Sequence, residues 1–199
     1  MRNWEIKARS RSCAVCEQSF EVGQTLHTLL AVTGEECERK DHCSRCWKEA
    51  VPESARGGPG TAYWQIRFRR LTPPPEEEKI KADVIERLLQ RYLDSEEVSH
   101  LNLCYILALL EERKKVLIPR EKILDDQGRT MIVYEHSGTG ETYLIRDPHL
   151  SLLEVESVQV QVMELIEAEK LRDQLASGES GGAGAETVGD RESGADIPG

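Results

Sequence analysis

The spacing of apolar and polar positions changes period several times along the chain, and each change marks an element. The stretch TLHTLLAV, a VTGEE turn and the polar run ECERKDH together fit a β-hairpin. A short helical stretch, WKEAV, follows it. The turn-rich sequence RGGPG at 56–60 then breaks regular structure. Beyond it, Trp64, Ile66 and Phe68 alternate with Tyr63, Gln65, Arg67 and Arg69, the period of two expected of a strand with one buried face. Pro73, Pro74 and Pro75 end that stretch and prepare the first turn of a helix.

Four-residue spacing of Ile80, Val84, Leu88 and Tyr92 predicts a helix from about Glu76 to Tyr92. Asp94 with Glu97 three residues later has the form of a capping box and predicts that the next helix starts there. That helix passes through LCYILALL, apolar on nearly every side, and ends on Arg113, Lys114 and Lys115, where the helix dipole favours cations. It is expected to be the central buried helix of its unit. After Pro119, KILDD, a QGR turn, TMIVYEH, an SGTGE turn and TYLIRD read as a three-stranded meander closed by Asp147-Pro148. A last helix covers about Leu152 to Leu175, with Val158, Met163 and Leu165 among its apolar residues. From 177 to 199, seven of 23 residues are Gly, no aromatic is present and the net charge is -4. Such a segment buries too little apolar surface to offset its ordering entropy and is expected to be disordered.

These elements define an α+β fold: residues 1–55 a small N-terminal module, 56–75 a strand and Pro-rich connection, 76–176 a helical unit with a three-stranded β-meander and a C-terminal helix, and 177–199 a tail. Charge divides along the same line. Residues 1–72 hold 12 Lys+Arg against 9 Asp+Glu, a net of +3, whereas 73–199 hold 14 against 27, a net of -13. Nucleic acid and anionic membranes therefore meet a favourable surface only at the N-terminal part. The longest apolar run, LCYILALL, has eight residues where about 20 are needed to cross a bilayer. With no apolar stretch behind the basic start, the expected location is cytoplasmic, without membrane contact, and there the six cysteines are expected as metal ligands or core rather than disulfides.

Five of those six fall within residues 12–50. Cys13-Ala-Val-Cys16 and Cys43-Ser-Arg-Cys46 are two C-x2-C pairs separated by 26 residues. Each pair presents two thiolates on one side of a tight turn, and zinc takes four such ligands in a tetrahedron, so one structural Zn2+ is expected on Cys13, Cys16, Cys43 and Cys46. Cys37, mid-strand, is the one competitor for a ligand position and reads as a spare hairpin thiol; Cys104 reads as helix core. His27 and His42 read as structural or solvent-facing. Arg39, Lys40, Arg45 and Lys48 lie near enough in sequence to offset the net -2 of a four-thiolate zinc.

Knuckle, hairpin, then a helix whose first turn carries the second pair: this order, with CAVCEQSFEVGQ, resembles the treble-clef class of zinc fingers, a resemblance covering about 40 residues that implies a fold and no activity. YWQIRFR, LCYILALLEERKKVL and LIRDPHL further resemble an uncharacterised bacterial protein family of unknown function, in which a module of this kind precedes a helical region.

No catalytic residue is expected. Four cysteines leave a zinc no open position, and H-E-x-x-H, G-x-G-x-x-G and the deaminase signature are all missing from the sequence. His136 and His149 flank the meander without an evident nucleophile or orienting partner. The expected role is thus a zinc-binding, non-enzymatic protein-interaction or regulatory adaptor with protein partners. The alternative is a nucleic-acid-associated regulator using the basic N-terminal unit, with Arg67, Arg69 and Arg70 beside Tyr63.

Overall fold

A computed structural model describes residues 6–34, 36–70, 84–95 and 97–179, with side chains to 175. The described chain is mixed α and β, with two three-stranded antiparallel sheets and four α-helices. The first sheet contains β1 (Thr25–Thr33), β2 (Glu36–Cys43) and β3 (Thr61–Arg67) in the order β2-β1-β3. The β1–β2 hairpin pairs Leu26 with Cys43 at one end and Thr33 with Glu36 at the other. Helix α1 (Ser44–Ala50) follows β2 directly. The strand after RGGPG is the third member of this sheet, antiparallel to β1 with Leu30 opposite Ala62. Its period of two holds: Trp64 and Phe68 are buried, while Gln65 and Arg67 are exposed.

The second sheet is the expected meander, β4 (Leu117–Leu124), β5 (Thr130–His136) and β6 (Thr142–Arg146). β4 starts earlier than the sequence pattern implied and carries Pro119 inside it. An edge strand tolerates the missing donor. A register shift between Pro119 and Glu121 marks a bulge there.

Helices α2 (Val84–Asp94), α3 (Leu101–Arg113) and α4 (Leu152–Glu179) pack with β5 and β6. The helix expected over 76–92 is described from Val84 onward and runs two residues further; positions 76–83 lie outside the described residues. The capping box at Asp94 and Glu97 does not form. Asp94 is the last residue of α2, and Glu97 precedes a short 3-10 turn (Val98–His100) without a side-chain cap. The geometry instead occurs at the start of α4: Ser151 N donates to Glu154 Oε2 at 2.8 Å, and Glu154 N to Ser151 Oγ at 3.4 Å. Sequence spacing alone did not separate the two sites, because the 3-10 turn moves the N-cap of α3 six residues on, from Asp94 to His100.

Helix α3 is the central buried helix expected, with Cys104, Ile106, Leu107 and Ala108 enclosed. Leu88, Leu89 and Leu93 of α2 and Val158, Val162 and Ile166 of α4 close over it. Arg113 and Lys114 end it as expected. Positions 177–179 continue α4 into the segment expected as tail, while 180–199 lie outside the described residues. Met163 is exposed rather than packed.

The two sheets share a core of Leu30, Ala62 and Trp64 from the first with Ile123, Met131, Val133 and Leu144 from the second. Gly60 N donates to Leu124 O at 2.7 Å where they meet, and Gly60 O accepts from Val32 N at the same distance. Its φ of +73° and the clash that an added Cβ would make with Val32 O require glycine at that corner.

Candidate metal centre

The knuckle begins where Cys13 N donates to Gln18 O at 3.0 Å and Glu17 N to Cys13 O at 3.0 Å. Glu17 takes the left-handed conformation, φ 58°, that turns the chain back. Ala14 N then donates to Asp41 O at 2.9 Å, which fixes the knuckle against the end of β2. The second pair straddles the start of α1: Cys43 is its N-cap and Cys46 lies in its first turn. Cys46 N donates to Cys43 Sγ and Cys43 N to Cys13 Sγ, both at 3.4 Å. Backbone N–H groups thus point at the sulfurs that need negative charge.

All four sulfurs lie within 4.8 Å of one another. A tetrahedral site with metal–sulfur bonds of about 2.3 Å has sulfur–sulfur edges of about 3.8 Å, so small side-chain rotations close this cluster on one ion. Beneath it, Phe20, Leu26 and Phe68 form an apolar floor, with the two phenyl rings 5.6 Å apart. Of the expected ligands the fold brings together all four. Cys37 is not in the cluster, and burial pushes its thiol up to about 12; Cys104 is enclosed in α3, also at about 12 from burial.

Electrostatics within the cluster favour a cation. Burial raises the Cys13 thiol, but backbone hydrogen bonds from Cys16, Cys43 and Val15 outweigh it and draw the group down to about 6. Cys46, the other buried cysteine of the cluster, is pushed up to about 12 by burial and by the neighbouring thiols. One thiolate forms readily and a further one is resisted, as expected of like charges in a small volume. A divalent ion removes that conflict.

The basic residues divide differently from the sequence expectation. Arg45 lies beside the cluster, where Cys46 and then Cys16 raise its guanidinium pKa. Lys40 instead pairs with Glu38 at 2.8 Å on the surface. Arg39 points away from the sulfurs altogether, 6% exposed, into the junction of the two sheets. There its Nη1 donates to Thr142 Oγ1 at 2.7 Å and Gly140 O at 3.1 Å, and its Nη2 to Asp41 Oδ1 at 3.2 Å. Asp41 also accepts from Thr28 Oγ1 at 2.6 Å and Ser10 N at 2.7 Å. Nothing in the sequence signalled this role for Arg39 or Asp41, because ERKDH reads as a solvated strand until the second sheet covers it.

The histidines are both buried, not solvent-facing. His27 Nε2 lies 3.2 Å from Ser44 Oγ and its Nδ1 3.0 Å from Tyr63 Oη. This has the outline of a nucleophile, a base and an orienting group. The third member is a phenol, though, which cannot stabilise an imidazolium as a carboxylate does. Burial, then Arg56, His42 and Lys48, lower the His27 pKa, which favours the neutral ring. The group instead pins α1 to the sheet. Trp47 stacks on Tyr63 with centroids 4.5 Å apart, and Arg56 lies over its other side at 4.6 Å.

His136 and His149 are not brought together with any of these. His136 Nδ1 accepts from Thr139 N at 2.9 Å within the β5–β6 turn, and its Nε2 lies 3.3 Å from Glu86 of α2. His149 is exposed beside Asp147. Among the described residues, no helix is long and apolar enough to cross a membrane. Comparison with protein-family models, curated proteins and solved structures gave no match.

Proposed function

We propose that this chain is a zinc protein whose metal is structural and whose role is that of a non-enzymatic interaction or regulatory adaptor with protein partners. The observation that carries the reading is the cluster of four sulfurs on two tight turns. Four thiolates complete a tetrahedral zinc, so such an ion organises the chain and offers no position to substrate. Knuckle, hairpin and helix, in that order about the sulfurs, support assignment to the treble-clef class. Metal analysis of the purified full chain tests the reading directly. One zinc per chain, colourless and removed by a strong chelator with loss of structure, is expected; iron, or a metal-free protein of unchanged stability, overturns it.

The nucleic-acid alternative rests on Arg67, exposed on β3, and on exposed Arg69 and Arg70 after it. Against it, Trp64 and Phe68 are in the core and Tyr63 is stacked under Trp47, so that strand offers no free ring to a base. Binding to mixed DNA or RNA at low salt, compared with Arg67→Ala/Arg69→Ala, separates the two. Salt-sensitive binding lost in the double variant favours the alternative, and no binding removes it.

A further inference from the structure

Helix α4 has two apolar faces. One carries Val158, Val162 and Ile166 into the core against α2 and α3. The other carries Leu152, Leu153, Val160, Met163, Leu171 and Leu175, all exposed, with Leu152 at 84% and Val160 at 59%. At about 100° per residue these six fall within one sector opposite the packed face. A helix that only covered a core would be polar there.

Apolar residues stand at both ends and at the centre of this second face. Leu152 and Leu153 stand at one end, Leu171 and Leu175 at the other, and Val160 and Met163 at the centre. Glu156 lies seven residues before Met163 and Lys170 seven after it. Seven residues are close to two full turns, so both charges lie on the same strip of the helix as Met163. Two copies of α4 laid antiparallel, Met163 against Met163, therefore bring Glu156 of each against Lys170 of the other. The end leucines of one copy meet those at the opposite end of the other. Laid parallel, the same faces set Glu156 against Glu156 and Glu167 against Glu167.

From this self-complementarity we infer that the exposed face of α4 is a homodimer interface, occupied by the α4 of a second copy in antiparallel orientation about Met163. A two-fold pair of this kind is isologous, so each favourable charge pairing occurs twice. The interface is independent of the metal centre, which belongs to the other sheet.

The full chain tests it by sedimentation equilibrium. At about 100 μM a dimer is expected, near twice the 22.5 kDa of one chain. Val160→Glu, on an exposed position that leaves the fold intact, is expected to raise the dissociation constant at least about tenfold. Glu156→Lys is expected to weaken association several-fold, and the exchange Glu156→Lys/Lys170→Glu to restore it, which no contact with a different partner would do. A monomer at that concentration overturns the proposal and leaves the face to another protein. A dimer unaffected by Val160→Glu, or an exchange variant that stays as weak as Glu156→Lys, overturns it too. Zinc content stays at the wild-type value in every variant, so failure here is separable from failure of the zinc reading.

Discussion

The indole N–H of Trp64 donates to Glu135 Oε2 at 3.2 Å, from β3 of the first sheet to β5 of the second. Glu135 is 1% exposed and also meets Arg120 Nε at 3.2 Å, Arg9 Nη1 at 3.4 Å and Arg39 Nη2 at 3.9 Å. The bulge after Pro119 brings Arg120 into this set. Three guanidinium groups thus converge on one carboxylate at the junction, while Arg39 also lies over the Trp64 ring at 5.5 Å.

Glu135→Ala should therefore be among the most damaging single changes in the chain. Removing one side of a buried pair leaves the other charges uncompensated, at a cost of about 3–5 kcal/mol. Trp64→Phe, which keeps a ring but removes the donor and some packing, should cost about 1–3 kcal/mol. Urea unfolding of both variants checks the order, and equal effects would show that the carboxylate is not the centre of the junction.

Cysteine replacements should separate ligands from bystanders. Cys43→Ser removes a sulfur of the cluster and the N-cap of α1 together. It should abolish stoichiometric zinc and unfold the first 50 residues, read by metal analysis and amide exchange. Cys37→Ser and Cys104→Ser leave the cluster intact and should keep one zinc per chain. Loss of the metal in Cys37→Ser would instead make it a ligand.

Gly60→Ala should destabilise by about 2 kcal/mol or more, since the added Cβ meets Val32 O and the φ of +73° disfavours any side chain. Gly57→Ala, where nothing lies within 4 Å of the new methyl, should be near neutral. Thermal unfolding of the pair provides an internal control.

Acid should remove two carboxylate contributions. Asp125, buried at the β4–β5 turn, accepts from Gln127 N at 2.9 Å, Arg129 N at 2.8 Å and Arg129 Nε at 2.6 Å. Burial raises its pKa, and these hydrogen bonds, Arg129 foremost, outweigh burial and lower it. Glu169 is lowered chiefly by its paired hydrogen bonds from Arg91 at 2.6 and 3.2 Å. A carboxyl with a lowered folded pKa stabilises fully above its unfolded value, about 4, and loses that contribution as pH falls through the folded value. Asp125→Asn should therefore be less stable than wild type at neutral pH, with the gap closing below about pH 4. A gap independent of pH would remove the ionised carboxylate as its cause.

Much of this molecule was legible because the relevant signals are local. C-x2-C spacing places two sulfurs on a turn whatever surrounds it, and alternation in β3 assigned Trp64 and Phe68 to the core. The apolar run of α3 declared its own burial. Helix starts were less legible. Asp94-x-x-Glu97 and Ser151-x-x-Glu154 have equivalent spacing, and only the 3-10 turn before Leu101 decides which of them caps a helix. The apolar residues of the last helix were evident in the sequence, but their division between a packed and an exposed face was not.

The sequence by itself determined the four-sulfur centre, the order of elements and the α+β class, since each follows from residues close along the chain or from paired turns. Tertiary structure alone decided what Arg39, Asp41 and Glu135 do. Their partners lie up to about 100 residues away in the chain, and a charge in a strand has the same appearance in sequence whether it faces water or a second sheet. Burial turns those charges from surface decoration into the junction on which the two sheets meet.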